Sequence, residues 1–352
     1  MRSPYAAGDR EVTNGRPYGR TAIAVLFCLA LARLPTPTRA DTPCASLPLP
    51  IRDLDAIDYH AGPHGLLIDP TLRTKNDAAM EAARTFVRLV SASADHFVAD
   101  GKAAAGLCTL AGLRIWAEGG ALLGTMSNSQ AERERTGLLS GLAFAYLKTR
   151  ELTTAADRLA IEPWLDKVAR GVEASFADPA RPANRRLALV ALATVAVGAA
   201  TDNHDHWSFG EGAYDQSLAG INGDGVIEFE MMGGERALFG QDFALGSLVM
   251  TAEIAARGKG KDWQKGEDWY ERKGGAIHRL ANRVLDGLRD PAWFSTQTGK
   301  EQAMPSGRDL AWIAFYARRF PDRFAGRVPD GAIFQSARLG GDLAVLAEKW
   351  VR

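Results

Sequence analysis

The residues best suited to chemistry in this 352-residue chain fall into a few short groups. Arg185 and Arg186 stand side by side after Asn184, at the start of an apolar helical stretch. A guanidinium offers a bidentate fork to a carboxylate and keeps its charge, so this pair can neutralise an acidic group but cannot take a proton at neutral pH. A cleft-facing position is one reading of Arg186. Arg185, one residue earlier, should point about 100° away, and an exposed helix start is the alternative for both. Arg236 is a further cation, followed closely by Gln241 and Asp242. Asp242 reads either as a general base or as the N-cap of a helix beginning at Phe243. Tyr59, His60 and nearby His64 are of types that exchange protons. A pair such as Glu228 or Glu230 with Asp242 would suit a glycoside hydrolase if both faced one cleft. Two metal readings fail. His204-Asp205-His206 supplies too few converging ligands for zinc. Counting Gly225 as the sixth position of a calcium loop puts Gly220 and Met231 where carboxylates are required. No cofactor and no metal are expected.

Composition narrows the partners. Residues 1–40 read as an export signal: Arg10, Arg16 and Arg20 precede an apolar run from Thr21 to Leu31 that is too short to span a bilayer, and Thr38-Arg39-Ala40 makes a cleavage site. Six of the 42 basic residues but only two of the 42 acidic ones lie in that leader, so the mature chain is mildly acidic. That balance excludes a nucleic-acid binder, which needs a strongly basic face, and permits a polyanion only where positive charge is gathered in one cleft. Cys28 leaves with the leader. Cys44 and Cys108 remain, an even number in an oxidising compartment, as a bridge or as two free thiols. A bridge would close a loop of ~64 residues, worth roughly 4 kcal/mol. A periplasmic or secreted monomer is expected, with no membrane contact once the leader is gone.

The elements that must position these groups are helices. Apolar stripes of period 3.6 predict them over 78–98, 103–119, 133–149, 163–175, 185–200, 243–257, 275–288 and 308–320. The breaks are short and carry Gly, Pro, Asp or Asn. Asn222-Gly223-Asp224-Gly225 before Val226-Ile227-Glu228-Phe229 predicts a type I′ hairpin. Helix pairs without a βαβ pattern give an all-α fold, a toroid or a bundle. No helix is expected after Asn203-His204.

The stretch NGDGVIEFEMMGGERALFGQDFALGSLVM, from Asn222 to Met250, resembles the alginate lyase family. Gly225, Glu230, Arg236, Ala237, Leu238, Phe243, Ala244, Leu245, Leu248 and Met250 match its pattern. Cys108-x7-Trp116-Ala117, Leu138-x3-Leu142-x3-Tyr146, Thr298-Gly299-x2-Gln302-x-Met304, Ala311-Trp312 and Arg338-Leu339-Gly340-Gly341 match further blocks in the family's order. The resemblance implies an incomplete (α/α) barrel over 41–352, a Cys44–Cys108 bridge, and β-elimination on an acidic polysaccharide. It also implies departures. The family's catalytic Tyr falls on Gly240, the first Arg of its R-x-x-R on Gly233, its Asn-His pair on Arg185-Arg186, and its lid Lys on Asp58 before Tyr59. The expected cleft therefore gathers Arg186, Arg236, Gln241 and Asp242, with Arg185 a further substrate-binding candidate beside it, Trp116 either a sugar platform nearby or buried core, and Tyr59 or His60 above. A non-catalytic polysaccharide-binding protein on the same scaffold is the alternative.

Overall fold

A computed structural model describes residues 44, 46–62, 67–176, 182–258, 268–324 and 329–351. The leader and His64 lie outside the described residues. The long helices are α1 (Pro70–Asp100), α2 (Ala103–Glu118), α3 (Ser129–Thr149), α4 (Ala155–Ser175), α5 (Arg185–Thr201), α6 (His204–Ala219), α8 (Ala237–Arg257) and α9 (Arg272–Arg289). Shorter ones are α7 (Glu228–Met231), α10 (Ala292–Thr298), α11 (Ile313–Arg319), α12 (Pro321–Phe324) and α13 (Leu343–Trp350). The strands are two-residue pairs, β1 (His60–Ala61) with β2 (Leu67–Ile68) and β3 (Gln335–Ser336) with β4 (Gly341–Asp342), both antiparallel.

Caps explain why several helices start earlier than their apolar stripes. Asp69 accepts from the amides of Thr71 and Leu72 ahead of Pro70, and Asn128 accepts from those of Gln130 and Ala131. In α4 the expected start at Pro163 is wrong. Thr154 and Asp157 form a capping box, and Pro163 sits inside the helix, which Ile161, Trp164, Leu165 and Val168 hold against the core. The predicted gap after Asn203 is also wrong, since Asn203 caps α6. The type I′ turn is replaced as well. Positive φ falls on Gly225 (78°), not on Gly223 or Asp224, and α7 stands where a second strand was expected.

Helices α1, α3, α5 and α8 pack in sequence as an inner layer, with α2, α4, α6 and α9 behind them. A 3-10 segment (Gly307–Trp312), α11 and α13 lead from α8 back to α1, so the inner elements form an all-α toroid, as the (α/α) barrel reading requires. Alternation of inner and outer helices brings the N-termini of the inner ones to one rim. The core between the layers is apolar, with Phe86, Trp116, Phe144, Tyr146, Trp164 and Tyr316 among its largest buried side chains.

The segment from Cys44 to Ala61 runs as an arm along α2 and α3. Cys44 is bonded to Cys108 with Cα atoms 5.4 Å apart, as expected. Leu54 donates to the Thr125 carbonyl, Asn128 Nδ2 to that of Ala56 (2.6 Å), and the amide of Ile57 to Asn76 Oδ1 (3.0 Å). This arm delivers Tyr59 and His60 to the rim.

Candidate active site

At that rim lies a cleft of about 360 Å³. Its walls come from α1, α3, α5, α8, the 3-10 segment and the stretch Ser336–Arg338. Eight arginines line it against two carboxylates, Glu134 and Asp309. The N-terminal turns of α3, α5 and α8 add the positive ends of their dipoles.

Some of these arginines are held by neighbours. Arg84 forks onto Glu134 (3.1 and 2.6 Å) and reaches Asp77 (2.7 Å). Arg133 donates to Gln130 Oε1 (2.7 Å) and Asp58 Oδ1 (3.0 Å). Arg185 pairs with the buried carboxylate of Glu230, which also accepts from the Arg185 amide (2.8 Å). Others lack an anion. The guanidinium of Arg186 has no hydrogen-bond partner among the described residues. Burial, with repulsion from Arg133 and Arg185, holds its pKa down to about 10, so it stays charged at neutral pH. Arg236 lies 4.1 Å over the Phe239 ring with its Nε buried and unpartnered. Arg338 lies 3.8 Å over Phe243 and donates to Ser247 Oγ (3.3 Å), and burial holds it down to about 10. A bound carboxylate would relieve this crowding of cations.

Tyr59 and His60 stack at the cleft wall, ring centroids 4.5 Å apart. Burial and the Glu134 charge push the Tyr59 pKa up, so the phenol is protonated. Its hydroxyl has no partner among the described residues. Burial, then the charges of Arg133 and Arg186, push His60 down to about 3. Arg133 Nη2 stands 3.0 Å from His60 Nδ1. Because arginine only donates, Nδ1 accepts and the imidazole proton sits on Nε2. The Asp58 contact at 3.3 Å, which would need Nδ1–H, is the weaker of the two.

Gly240, where the resemblance puts a tyrosine, adjoins Glu230. A Cβ there would stand 2.2 Å from Glu230 Oε2. The Glu230 carboxylate thus lies against the bare backbone of α8 while reaching across to Arg185.

The structure corrects three expected site residues. Asp242 is fully buried, accepts from Trp312 Nε1 (2.8 Å), and is pushed up to about 8 by burial. It is neither a cleft base nor an N-cap, since α8 already begins at Ala237. Gln241 is buried and clamps the Ile227 backbone through its Nε2 and Oε1 (both 2.9 Å). Trp116 is buried, stacked 3.7 Å from Phe86, and donates to the Pro48 carbonyl (2.9 Å), so it anchors the arm rather than a sugar. The hydrolase pair is not assembled either, because Asp242 faces the core. Arg185, expected to turn away, lines the cleft beside Arg186. Arg73, Arg84, Arg133, Arg308 and the aromatic walls Phe176, Phe239 and Phe243 were not anticipated as site residues. Arg338 had a signal, since it opens the Arg-Leu-Gly-Gly block.

A helical toroid with an arginine-lined cleft and proton-exchanging groups at its wall is the build of a polysaccharide lyase. Residues 62–294 match the alginate lyase family model, and the chain belongs to that family. A polysaccharide lyase of Stenotrophomonas maltophilia is 38% identical over 329 residues, covering 91% of this chain and 96% of the relative. An alginate lyase of Cobetia marina is 27% identical over 261 residues, 70% of this chain and 68% of its own. Among solved structures, alginate lyase A1-III from Sphingomonas species A1 superposes with a TM-score of 0.71 at 26% identity, covering 86% of this chain and 85% of that one. A variant of that lyase complexed with a tetrasaccharide gives 0.74.

Proposed function

We propose that this protein cleaves an alginate-like, uronate-containing polysaccharide by β-elimination, after export from the cytoplasm. The observation that carries the reading is charge: a chain with equal numbers of acidic and basic residues gathers eight arginines in one cleft. The alginate lyase A1-III variant with bound tetrasaccharide shares the fold, which supports a saccharide occupant.

Arg186 and Arg236 take the uronate carboxylate. Neutralising that group makes the C5 proton acidic by stabilising the charge that develops as it leaves. His60, whose depressed pKa rises when the substrate carboxylate offsets the charges of Arg133 and Arg186, receives the C5 proton, and Tyr59 gives one to O4 as the C4–O4 bond breaks, leaving a C4–C5 double bond. His60 can accept at Nε2 only when its proton moves to Nδ1. That requires Arg133 to turn from Nδ1 to the incoming carboxylate, leaving Asp58 Oδ1 as the acceptor. The non-catalytic alternative is not favoured, because relatives matched over most of their length carry lyase names.

A panel of polyuronates, followed by the ultraviolet absorbance of the unsaturated product, tests the reading. Arg186→Ala should weaken binding by roughly 2–5 kcal/mol, and Arg186→Lys should restore only part, lacking the fork. Unchanged affinity and turnover in Arg186→Ala would remove Arg186 from the site. Absence of unsaturated product on every polymer would overturn the lyase.

A further inference from the structure

We propose that the buried pair of Lys148 and Asp95 positions a cation of the cleft: it fixes the turn that carries Arg338, and through Arg338 it sets the affinity for a polyuronate. The inference rests on the polyuronate reading above. Residues 337–342 pack against α1 and α3, and three alternate positions of this turn are gripped there by polar side chains. Ser140 Oγ, on α3, donates to the Arg338 carbonyl (2.7 Å). Lys148 Nζ, on the same helix, donates to the Gly340 carbonyl (2.8 Å). Asp95 Oδ2, on α1, accepts from the Asp342 amide (2.8 Å). Lys148 and Asp95 also hold each other, Nζ to Oδ1 at 2.6 Å, and a longer contact with the Ser91 carbonyl (3.4 Å) gives Nζ an acceptor for each of its three protons. The Lys148 side chain is 0% exposed.

The backbone of the turn is shaped to this pair. Gly340 and Gly341 have φ of 120° and 107°, and a Cβ on Gly341 would stand 2.3 Å from Asp95 Oδ2. Leu339 is buried in the core, while Arg338 turns to the cleft, over Phe243 and onto Ser247 Oγ. Ser140, Lys148 and Asp95 do not line the cleft, so any effect they have on a substrate passes through the turn. A buried ion pair gives little net stability over apolar side chains of the same size. What this one supplies is a fixed place for the turn, and hence for the guanidinium it presents.

Lys148→Met and Ser140→Ala, each alone and combined with Arg338→Ala, test the proposal by equilibrium binding of a polyuronate and by KM and kcat on it. Arg338→Ala should weaken binding about tenfold or more, the loss of a charge-assisted contact. Lys148→Met should weaken it by a smaller factor, through KM rather than kcat, and Ser140→Ala by less again. In the Arg338→Ala background neither should change affinity further, while their effects on melting temperature persist. Affinity at the parent's value in a destabilised variant, or the same loss of affinity with and without Arg338, overturns the proposal and leaves the lyase reading standing. If Lys148→Met does not fold, Ser140→Ala decides by the same comparison. A parent that binds a polyuronate without cleaving it overturns the lyase reading, and the affinities still decide the role of the pair. A parent that neither binds nor cleaves overturns both.

Discussion

Glu230, Arg185 and Gly240 make one unit, and a double-mutant cycle resolves it. Glu230 is 1% exposed and the Arg185 side chain 11%, so the pair is out of water. Removing one partner of such a pair costs about 3–5 kcal/mol, because it strands the other charge. In Glu230→Ala the stranded group is Arg185, at the cleft wall, where it can reach water, so the loss should lie near the lower bound. In Arg185→Ala the stranded group is a carboxylate sealed behind α5 and α8, so the loss should approach the upper. Gly240→Ala acts on the same carboxylate from the other side. The new methyl would stand 2.2 Å from Oε2, 3.0 Å from Cδ and 3.1 Å from Cβ of Glu230. Glu230 must then shift, at a cost of about 1–3 kcal/mol, and its contact with Arg185 suffers with it.

Combining Gly240→Ala with Glu230→Ala should reverse that sign. With the carboxylate gone, the methyl enters free space, and Ala in place of Gly inside α8 stabilises the helix by up to about 1 kcal/mol. The predicted coupling between positions 230 and 240 is therefore about 1–4 kcal/mol, well above the few tenths found for independent sites. Urea unfolding of the parent, both single variants and the double variant measures it, provided the slope of the transition stays constant. If Gly240→Ala costs the same with and without Glu230, the carboxylate does not fill the space beside Gly240, and the account of this corner of the site fails.

Three further expectations follow from the same geometry. Asp242 is protonated in the folded protein up to about pH 8 but ionised in the unfolded chain above its ordinary value. The folded state therefore binds the extra proton across that window, and stability falls as pH rises, by up to ~1.4 kcal/mol per unit for one proton. Asp242→Asn should flatten that slope in denaturant titrations between about pH 5 and pH 7.5, and a slope equal to the parent's would refute the assignment. Reducing Cys44–Cys108, or replacing both by Ser, should cost roughly 4 kcal/mol for a separation of 64 residues, read as a lowered melting temperature. Tyr59→Phe and His60→Ala should each lower turnover by at least about 100-fold with little change in polymer affinity, since proton transfer acts in the transition state; affinity lost in step with turnover would make them binding groups.

The helices were legible because each buries a stripe of period 3.6 that composition cannot hide. What stayed illegible has local causes. In α6 the buried positions His206, Trp207, Gly210, Ala213, Tyr214, Ser217 and Leu218 do keep helical spacing, but several are small or polar. A Cβ at Gly210 would meet Val195 N of α5 at 2.8 Å, so the helix is held by close backbone approach rather than by an apolar stripe. The misplacement of Gln241 and Asp242 is a matter of phase. Phe239 and Phe243, four apart, share the face of α8 that lines the cleft. The residues between them turn away at 100° per step, toward Ile227 and Trp312. Arg84 and Arg133 sit on helices where an isolated arginine reads as a solvated face. Their convergence with Arg186, Arg236 and Arg338 comes from ring closure, which no window of sequence contains.

In the proposed β-elimination the two kinds of work are divided between two parts of the chain. The ring supplies fixed positive charge. Its cleft cations are all guanidinium groups, and even Arg186 and Arg338, held down to about 10, remain charged at neutral pH. Such groups can stabilise a carboxylate and its enolate but cannot accept the C5 proton. Of the two carboxylates in the cleft wall, Glu134 is spent on Arg84, Asn76 and Gln130. In the proposed mechanism proton exchange is assigned to the arm, where Tyr59 and His60 stand together. That arm is fixed far from the cleft by Cys44–Cys108 and by Trp116 on Pro48, and near it by Asn128 and Asn76. Asn128 also caps α3, the helix that carries Arg133. The group that sets the His60 tautomer and the segment that carries His60 are thus positioned by the same asparagine, which makes the junction of arm and α3 the point where charge and proton chemistry are brought into register.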